Sequence, residues 1–188
     1  MRVIAGQYRS RPLRSLRGMD VRPTSDRLRE TLFDIFTAGS PDALAGSVWL
    51  DIFAGTGAVG IEALSRGAQT VYLIESSPRA AAAIRDNLRS LGITEGFEIH
   101  EREAQRALRM LDSQAVAADY VFLDPPYRER DAYEQTLGFL SHSRLVTPKS
   151  VVVAEHEKKF DPGERFGALV RQRLLKQGDA ALSFYRVI

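Results

Sequence analysis

The sequence has 188 residues, of which 44% are hydrophobic and 27% are charged, and this composition predicts one globular domain rather than a disordered or fibrous chain. It contains no cysteine, which excludes disulfides, thiolate metal sites and a cysteine nucleophile. The net charge of +2 conceals an asymmetry, because residues 1–29 carry eight arginines against two aspartates, a charge of +6, and the rest of the chain sums to −4. A basic arm on a mildly acidic body is typical of a protein that holds a polyanion, although a solvated tail would have the same composition.

The sequence gives no sign of a membrane segment or a metal site. No apolar run approaches the roughly 20 residues that a membrane-spanning helix needs, and the first residues lack the apolar core of a secretion signal. We therefore expect a cytoplasmic protein with no membrane partner. The histidines His100, His142 and His156 are scattered along the chain, so we expect no metal.

The N-terminal part is predicted to form a basic hairpin followed by a helix. Residues 2–9 and 10–22 have the pattern of two short strands joined by a turn. The helix should begin near Ser25 or Asp26, since either side chain can accept a hydrogen bond from the first helical turn. Its apolar face is formed by Leu28, Leu32, Ile35 and Phe36.

Strands and helices alternate through the rest of the chain. Strands are predicted at 48–53, 70–74, 97–100, 120–123 and 150–154. Helices are predicted at 58–66, 78–91, 103–112 and 131–141. Two last strands, 169–175 and 182–187, flank a short turn and must be antiparallel. The alternation indicates an α/β fold with helices on both faces of a mostly parallel sheet, whose ligands bind at the carboxyl ends of the strands.

A glycine-rich loop follows the first of these strands. Gly55, Gly57 and Gly60 match the pattern G-x-G-x-x-G, in which the glycines allow a sharp turn and a close approach of the backbone to a ligand. Glu75 ends the next strand, where a carboxylate can accept hydrogen bonds from both hydroxyls of an adenosine ribose. These residues alone would fit a nicotinamide-dependent dehydrogenase.

An acidic residue in the first strand favours a different cofactor. Asp51 lies inside an otherwise apolar segment, four residues before Gly55. In methyltransferases a carboxylate at this place lies near the methionine amino group of S-adenosylmethionine, directly or through water. A sulfonium ion also prefers an acidic pocket, whereas a pyrophosphate does not. We therefore predict S-adenosylmethionine as the cofactor.

The tetrapeptide Asp124-Pro125-Pro126-Tyr127 follows a later strand and predicts a matching chemistry. Two prolines fix the backbone and remove two N–H donors, so carbonyl oxygens remain to face a substrate. An exocyclic amine offers two N–H donors, which the Asp124 carboxylate and the Pro125 carbonyl can accept, so that the nitrogen lone pair points at the methyl group. Tyr127 offers a flat face on which a base can stack. The sequence therefore predicts methylation of a base amine, with Asp124, Pro125 and Tyr127 as catalytic residues.

Over nearly its whole length the chain resembles the bacterial small-subunit (16S) ribosomal RNA guanine-N2 methyltransferases. The matching segments are 2–9, 22–33, 51–60, 62–68, Glu75 and 124–127. The resemblance implies a Rossmann-like class I methyltransferase fold, with a seven-stranded mostly parallel sheet, one antiparallel strand and an N-terminal basic β-hairpin. It implies an RNA-binding extension over residues 1–24 and a methyltransferase domain over residues 25–188, and a monomer that acts on 16S ribosomal RNA in the small subunit or in an assembly intermediate.

The resemblance also implies roles for individual residues. Arg22 and Thr24 would cover the methionine end of the cofactor, and the backbone N–H of Ala104, beside Glu103, would contact its adenine. The remaining cofactor contacts would be Asp51, Phe53, Gly55, Thr56, Gly57 and Glu75. Glu155 and His156 would line the base pocket, although His156 would equally suit the surface. The phosphates of the RNA would be held by Arg9, Arg11, Arg14 and Arg17.

Three alternatives remain at this point. A DNA adenine-N6 methyltransferase would use the same tetrapeptide, although the chain has no room for a separate target-recognition domain. A non-catalytic RNA-binding assembly factor would keep the scaffold, but the intact Asp51, Glu75 and Asp124 argue against a dead site. A nicotinamide-dependent dehydrogenase has no use for Asp-Pro-Pro-Tyr.

Overall fold

The computed structural model describes residues 1–16 and 25–188, and strands and helices alternate in it as predicted. The helices are α1 (Asp26–Thr37), α2 (Ala58–Ser65), α3 (Pro78–Leu91), α4 (Ala104–Ser113) and α5 (Asp131–Leu140). The strands are β1 (Val48–Ile52), β2 (Thr70–Glu75), β3 (Phe97–Glu101), β4 (Tyr120–Leu123), β5 (Val151–Glu157), β6 (Arg165–Phe166), β7 (Leu169–Gln177) and β8 (Ala180–Val187).

All eight strands form one sheet in the order β3-β2-β1-β4-β5-β8-β7-β6. The first five strands in this order are parallel, β8 is antiparallel to β5, and β7 is antiparallel to β8. The sheet has one strand more than the seven predicted, since β6 pairs with β7 through a turn that contains Gly167 at φ 53. Two strands, β8 and β6, therefore run opposite to the parallel strands, rather than the one predicted. The sequence did not predict β6 because a strand of two residues is too short to show a hydrophobic pattern.

The helix starts follow the capping residues seen in the sequence. The Ser25 hydroxyl accepts a hydrogen bond from the Leu28 N–H at 3.1 Å, which opens α1 at the predicted place. The Ser77 hydroxyl accepts from Ala80, Pro78 occupies the first turn of α3, and Gly92 closes that helix in the left-handed conformation. Each cap of this kind stabilises its helix by about 1 kcal/mol.

Two apolar layers cover the two faces of the sheet. One contains buried residues of α1, α2 and α3, and the other contains those of α4 and α5. In the first layer Trp49 stacks on Phe33 at 5.3 Å and on Tyr120 at 4.8 Å between ring centroids. Such pairs contribute about 0.5–1.5 kcal/mol each beyond the burial of their area, and the Phe33–Trp49 pair packs α1 against the sheet.

The first 16 residues fold back on themselves and pack against α2 and α3. In place of the two predicted strands, the described part of this segment has a single antiparallel bridge between Arg2 and Pro12, with the side chains of Val3 and Leu13 buried in the core. Gly6 lies so close to α2 that a Cβ there would fall 1.8 Å from the Ser65 carbonyl oxygen. We call residues 1–16 the arm. Residues 17–24, which belong to the predicted basic hairpin, lie outside the described part of the chain.

No helix within residues 1–16 and 25–188 combines the length and the apolar character needed to cross a membrane.

Candidate functional site

The residues at the carboxyl ends of the five parallel strands lie in one row. Glu101 and Glu75 pair directly at the ends of β3 and β2. Phe53 comes next, since it follows Ile52, which pairs with Ile74 of β2. Asp124 follows Leu123, which pairs with Ile52 on one side and with Ala154, the residue before Glu155, on the other. The sheet therefore places the predicted cofactor loop and the predicted catalytic tetrapeptide on neighbouring strands.

The glycine loop between β1 and α2 turns sharply. Phe53, Gly55 and Gly57 all have positive φ, at 64, 57 and 79 degrees. The backbone of Phe53 is in a region that side chains rarely adopt, at a cost of order 1–3 kcal/mol that the neighbouring strands must offset. A Cβ on Gly55 would meet no atom within 4 Å, so this face of the loop is open.

Two carboxylates hold the glycine loop by accepting hydrogen bonds from its backbone. Glu75 accepts hydrogen bonds from the N–H groups of Gly55 and Ser77, both at 2.8 Å. Asp51 accepts one from the N–H of Gly60, also at 2.8 Å. Gly60 itself packs tightly, since a Cβ there would lie 2.7 Å from a methyl group of Leu73. The two acids that the sequence assigned to the cofactor thus also hold the loop that would receive it.

Burial makes these carboxylates favourable partners for a cation. Asp51 is only 2% exposed, and burial, opposed by the Gly60 hydrogen bond and assisted by the charge of Glu75, raises its pKa to about 7. The pKa of Glu75 is also raised, first by burial and further by the charge of Glu103, although backbone N–H groups oppose the shift. A positively charged ligand would relieve both, whereas a pyrophosphate would be repelled.

Ala104 is the first residue of α4 and is 8% exposed. An N–H at this position has no acceptor within its own helix, so it is available for contacts outside the helix. Glu103, which precedes it, makes no side-chain cap and is exposed. This geometry suits the predicted backbone contact at Ala104 better than a side-chain contact at Glu103.

Tyr127, the last residue of the tetrapeptide after β4, lines a pocket of about 120 Å³. The Asp124 N–H donates to the Ile52 carbonyl at 3.3 Å, Pro125 is buried and Pro126 is exposed. Tyr127 is half-buried and lines the pocket together with the start of α1, Glu155 of β5 and the turn between β7 and β8. The other lining residues are Ser25, Arg27, Leu28, Gln177, Gly178, Asp179 and Ala180.

Neighbouring residues on β5 have different surroundings. Glu155 is 3% exposed and lines the pocket, and the Tyr133 hydroxyl donates to its carbonyl oxygen at 2.8 Å. His156 is buried in the opposite direction, where its Nε2 lies 2.9 Å from the hydroxyl of Ser183 on β8, and burial lowers its pKa. His156 is therefore neither a pocket residue nor a surface residue, because side chains alternate between the two faces of a strand.

The arginines of the arm present their charges to solvent. Arg9, Arg11 and Arg14 are exposed. The Arg11 guanidinium donates to the Ser90 carbonyl at 2.9 Å, and that of Arg14 lies 3.2 Å from the Asp86 carboxylate while remaining 74% exposed. Arg17, Arg22 and Thr24 fall outside the described residues.

The structure identifies positioning residues that sequence reasoning missed. Asn87 of α3 is fully buried, and its carbonyl oxygen accepts from the Arg14 N–H at 2.8 Å. Its amide nitrogen donates to the Thr56 carbonyl at 3.0 Å and to that of Arg14 at 3.2 Å. Asn87 thus joins the arm to the glycine loop. Its signal in the sequence is a polar residue on the apolar face of a helix.

A buried charged cluster fastens the beginning of the arm. Glu62 of α2 is fully buried and accepts from the N–H groups of Ile4 at 2.7 Å and Ala5 at 2.9 Å, and from Arg66 at 2.8 Å. Arg29 of α1, also fully buried, donates to the Arg2 carbonyl and to Asp26. Removing one member of such a cluster leaves another buried charge without compensation, so the arm is an integral part of the fold.

No group of three His, Asp or Glu side chains within the described residues is arranged to hold a metal ion.

Comparison with known proteins places the chain among methyltransferases. The family model described as conserved hypothetical protein 95 matches residues 1–186. A Bacillus subtilis protein, YlbH, named provisionally as an rRNA methyltransferase, is 31% identical over 99% of this chain and 98% of its own length. The ribosomal RNA small subunit methyltransferase D of Haemophilus influenzae is 35% identical over 84% of this chain and 79% of its own length. A solved Escherichia coli structure, yhhF, named provisionally as a methyltransferase, has 27% identity and a TM-score of 0.81, covering 100% of this chain and 97% of its own.

Proposed function

The chain belongs to the family described as conserved hypothetical protein 95, of the ribosomal RNA small subunit methyltransferase D type, and from this premise we propose that it methylates the exocyclic N2 amine of one guanine in 16S ribosomal RNA. At the coarser level it is an S-adenosylmethionine-dependent rRNA methyltransferase with a class I methyltransferase fold. The observation that carries the guanine-amine proposal is the row of strand ends, in which Phe53 and Glu75 of the cofactor side adjoin Asp124 of the amine side.

The residues at the glycine loop fit S-adenosylmethionine. Asp51 is suited to the methionine amino group and Glu75 to the ribose hydroxyls, and each carboxylate oxygen has a second lone pair beside the one used by a backbone N–H. The open face at Gly55 leaves room for the cofactor, which would be surrounded by Phe53, Thr56 and Gly57. Arg22 and Thr24 complete the methionine end in this proposal, and Ala104 contacts the adenine.

The tetrapeptide holds the amine that reacts. When bound, the cofactor supplies a methyl group on a positively charged sulfur, which a nitrogen lone pair can attack. The N2 lone pair of guanine is delocalised into the ring, so the amine is a weak nucleophile. Hydrogen bonds from its two N–H groups to the Asp124 carboxylate and the Pro125 carbonyl favour a more pyramidal nitrogen and aim its lone pair. Catalysis is then chiefly a matter of proximity and electrostatics, and the surplus proton passes to Asp124 or to water.

The target base must leave its stack to reach this position. The pocket beside Tyr127 receives it, and the aromatic ring supplies a stacking face of about 1–3 kcal/mol. Arg9, Arg11, Arg14 and Arg17 hold phosphates of the surrounding RNA, which positions the enzyme without reading sequence.

We propose further that the enzyme acts as a monomer in the cytoplasm, on the small subunit or an assembly intermediate. Among the described residues only Leu174 and Ile188 are exposed large hydrophobic side chains, which supports a monomer because stable subunit interfaces need a larger apolar surface.

Tritium transfer from labelled cofactor tests the proposal. Small ribosomal subunits, naked 16S RNA and duplex DNA are offered in parallel, and the products are digested to nucleosides. We expect N2-methylguanosine from RNA and no label in DNA. N6-methyladenosine in DNA would identify a DNA enzyme instead, and bound cofactor without transfer to any substrate would identify a non-catalytic RNA-binding protein.

A further inference from the structure

We infer that Glu155 selects guanine by accepting a hydrogen bond from the ring N1–H, while Asp124 and Pro125 hold the neighbouring exocyclic amine. The inference rests on the proposed function and adds to it a residue that decides which base is accepted. It starts from an ambiguity, because an Asp-Pro-Pro-Tyr tetrapeptide can hold the amine of adenine as well as that of guanine. A second group in the pocket must therefore distinguish the two bases.

The sheet places Glu155 beside the amine site. Leu123 of β4 pairs with Ala154 of β5, so Asp124 and Glu155 occupy equivalent positions at the ends of adjacent parallel strands. Adjacent strands lie about 4.8 Å apart, a separation that lets two neighbouring side chains contact adjacent groups on one base edge. Glu155 is 3% exposed and lines the same pocket as Tyr127, so a base stacked on Tyr127 would present its edge next to this residue.

The strand end that carries Glu155 is held rigidly. The buried hydroxyl of Tyr133 donates to the Glu155 carbonyl at 2.8 Å, and the next residue, His156, is bonded through its ring to Ser183 of β8. Exposed Arg27 lies at the rim of the pocket, where it suits the phosphate of the incoming nucleotide. A base would therefore enter past a cation and meet a carboxylate inside.

The chemistry of the base edges gives the selectivity. Guanine presents its N2 amine next to the ring N1–H, so the two groups form a continuous row of donors. Adenine presents its N6 amine next to a ring N1 lone pair, and cytosine presents its N4 amine next to an N3 lone pair. A buried carboxylate facing a lone pair is repelled and loses its solvation, and sites that require a substrate hydrogen bond reject analogues lacking it strongly.

A base analogue separates this role from general binding. 2-Aminopurine carries the same amine at C2 as guanine, but its N1 is an acceptor. Wild-type enzyme is offered 16S RNA, both free and assembled into small subunits, that carries guanosine or 2-aminopurine riboside at the methylated position, once that position is mapped. We expect the wild type to prefer guanosine by on the order of 100-fold or more in kcat/KM. The variant Glu155→Gln can donate to the analogue through its amide, so its preference should fall to about 10-fold or less.

Glu157→Gln is the matched control. Glu157 lies two residues further along the same strand, has a half-exposed side chain that lies 3.8 Å from Arg130, and does not line the pocket. We expect it to keep the wild-type preference. Cofactor affinity, measured by calorimetry, should be unchanged in both variants. Should Glu155→Gln fail to fold, as judged by thermal unfolding, Glu155→Asp keeps the carboxylate and should retain the preference at a reduced rate.

The outcomes separate the two ideas. If wild-type enzyme forms no N2-methylguanosine, the proposed function is wrong. If it does, and Glu155→Gln keeps the full preference for guanosine, or Glu155→Asp loses it, then Glu155 does not read the base. An equal fall in preference in Glu157→Gln would also overturn the inference, since it would indicate a general effect of charge on this strand.

Discussion

The buried carboxylate of Asp51 should destabilise the free protein at neutral pH while serving the cofactor. Its pKa is raised from 3.8 to about 7 by burial. The protonated form of Asp51 therefore favours the folded state. This contribution to the free energy of unfolding is fully present below about pH 4 and is lost as the pH rises through about 7. The shift corresponds to about 4 kcal/mol in the free energy of unfolding, because each pH unit contributes about 1.36 kcal/mol.

Substitution Asp51→Asn removes this titration with little change of shape. The amide oxygen of Asn can still accept the hydrogen bond from the Gly60 N–H, which lies 2.8 Å from the carboxylate in the wild type. Urea unfolding at about pH 5.5 and about pH 8.5 should show that the variant gains about 2 kcal/mol over the wild type between the two conditions. Asp34→Asn, at an exposed position of α1, is the control for the chemical change itself.

Cofactor binding should respond in the opposite sense. A bound ammonium group favours ionised Asp51, so the affinity of the wild type for S-adenosylmethionine should rise across the same pH range by up to about 30-fold. The variant should lack this component and bind weakly at the higher pH. If the difference in unfolding free energy is the same at both pH values, the reasoning about Asp51 is refuted; a pH-independent wild-type affinity would instead remove Asp51 from the cofactor.

Four further predictions concern the other parts of the site. Asp124→Ala should abolish methyl transfer while changing cofactor affinity only modestly, and near-normal turnover in single-turnover assays would contradict its role. Glu75→Ala should mainly weaken cofactor binding, by about 10-fold or more, because it loses a charged contact and frees the Gly55 N–H; unchanged affinity by calorimetry would remove Glu75 from the ribose. Replacing Arg9, Arg11, Arg14 and Arg17 together by alanine should flatten the dependence of RNA binding on salt by about 0.7–0.9 per lost contact without affecting cofactor affinity, and coinciding slopes in filter binding would mean that RNA is held elsewhere. Asn87→Ala should lower the free energy of unfolding by about 1–3 kcal/mol, since it removes the hydrogen bonds to the half-buried backbone groups of Arg14 and Thr56, and should weaken cofactor binding as well; a loss of stability alone would limit Asn87 to a structural role.

Much of the geometry of the proposed cofactor site could be predicted from the sequence because its determinants are local. The glycine loop, Asp51 four residues before it and Glu75 at the end of the next strand belong to one strand–helix–strand unit, and the structure brings them together as that unit predicts. The starts of α1 and α3 were likewise predictable, since Ser25 and Ser77 satisfy backbone N–H groups only three residues away.

The sequence could not assign the partners of buried polar groups far apart along the chain. Glu62 reaches the backbone of Ile4, 58 residues away, and Asn87 reaches that of Arg14, 73 residues away. The local sequence of either helix does not indicate these partners, because they depend on which distant segment packs against the helix. The arm consequently has a charged, tail-like composition and yet is anchored in the core.

The dipeptide Glu155-His156 shows most simply what the sequence determines and what only the tertiary structure decides. From its sequence and family likeness alone, this dipeptide was predicted to line the base pocket with both side chains, or to leave His156 at the surface. Tertiary structure turned Glu155 to the pocket and His156 to Ser183 of β8. Sequence determined which residues end the parallel strands, since period and capping are local properties. Only the packing of β8 against β5 decided what each of those side chains faces, because burial depends on elements that pair across the whole chain.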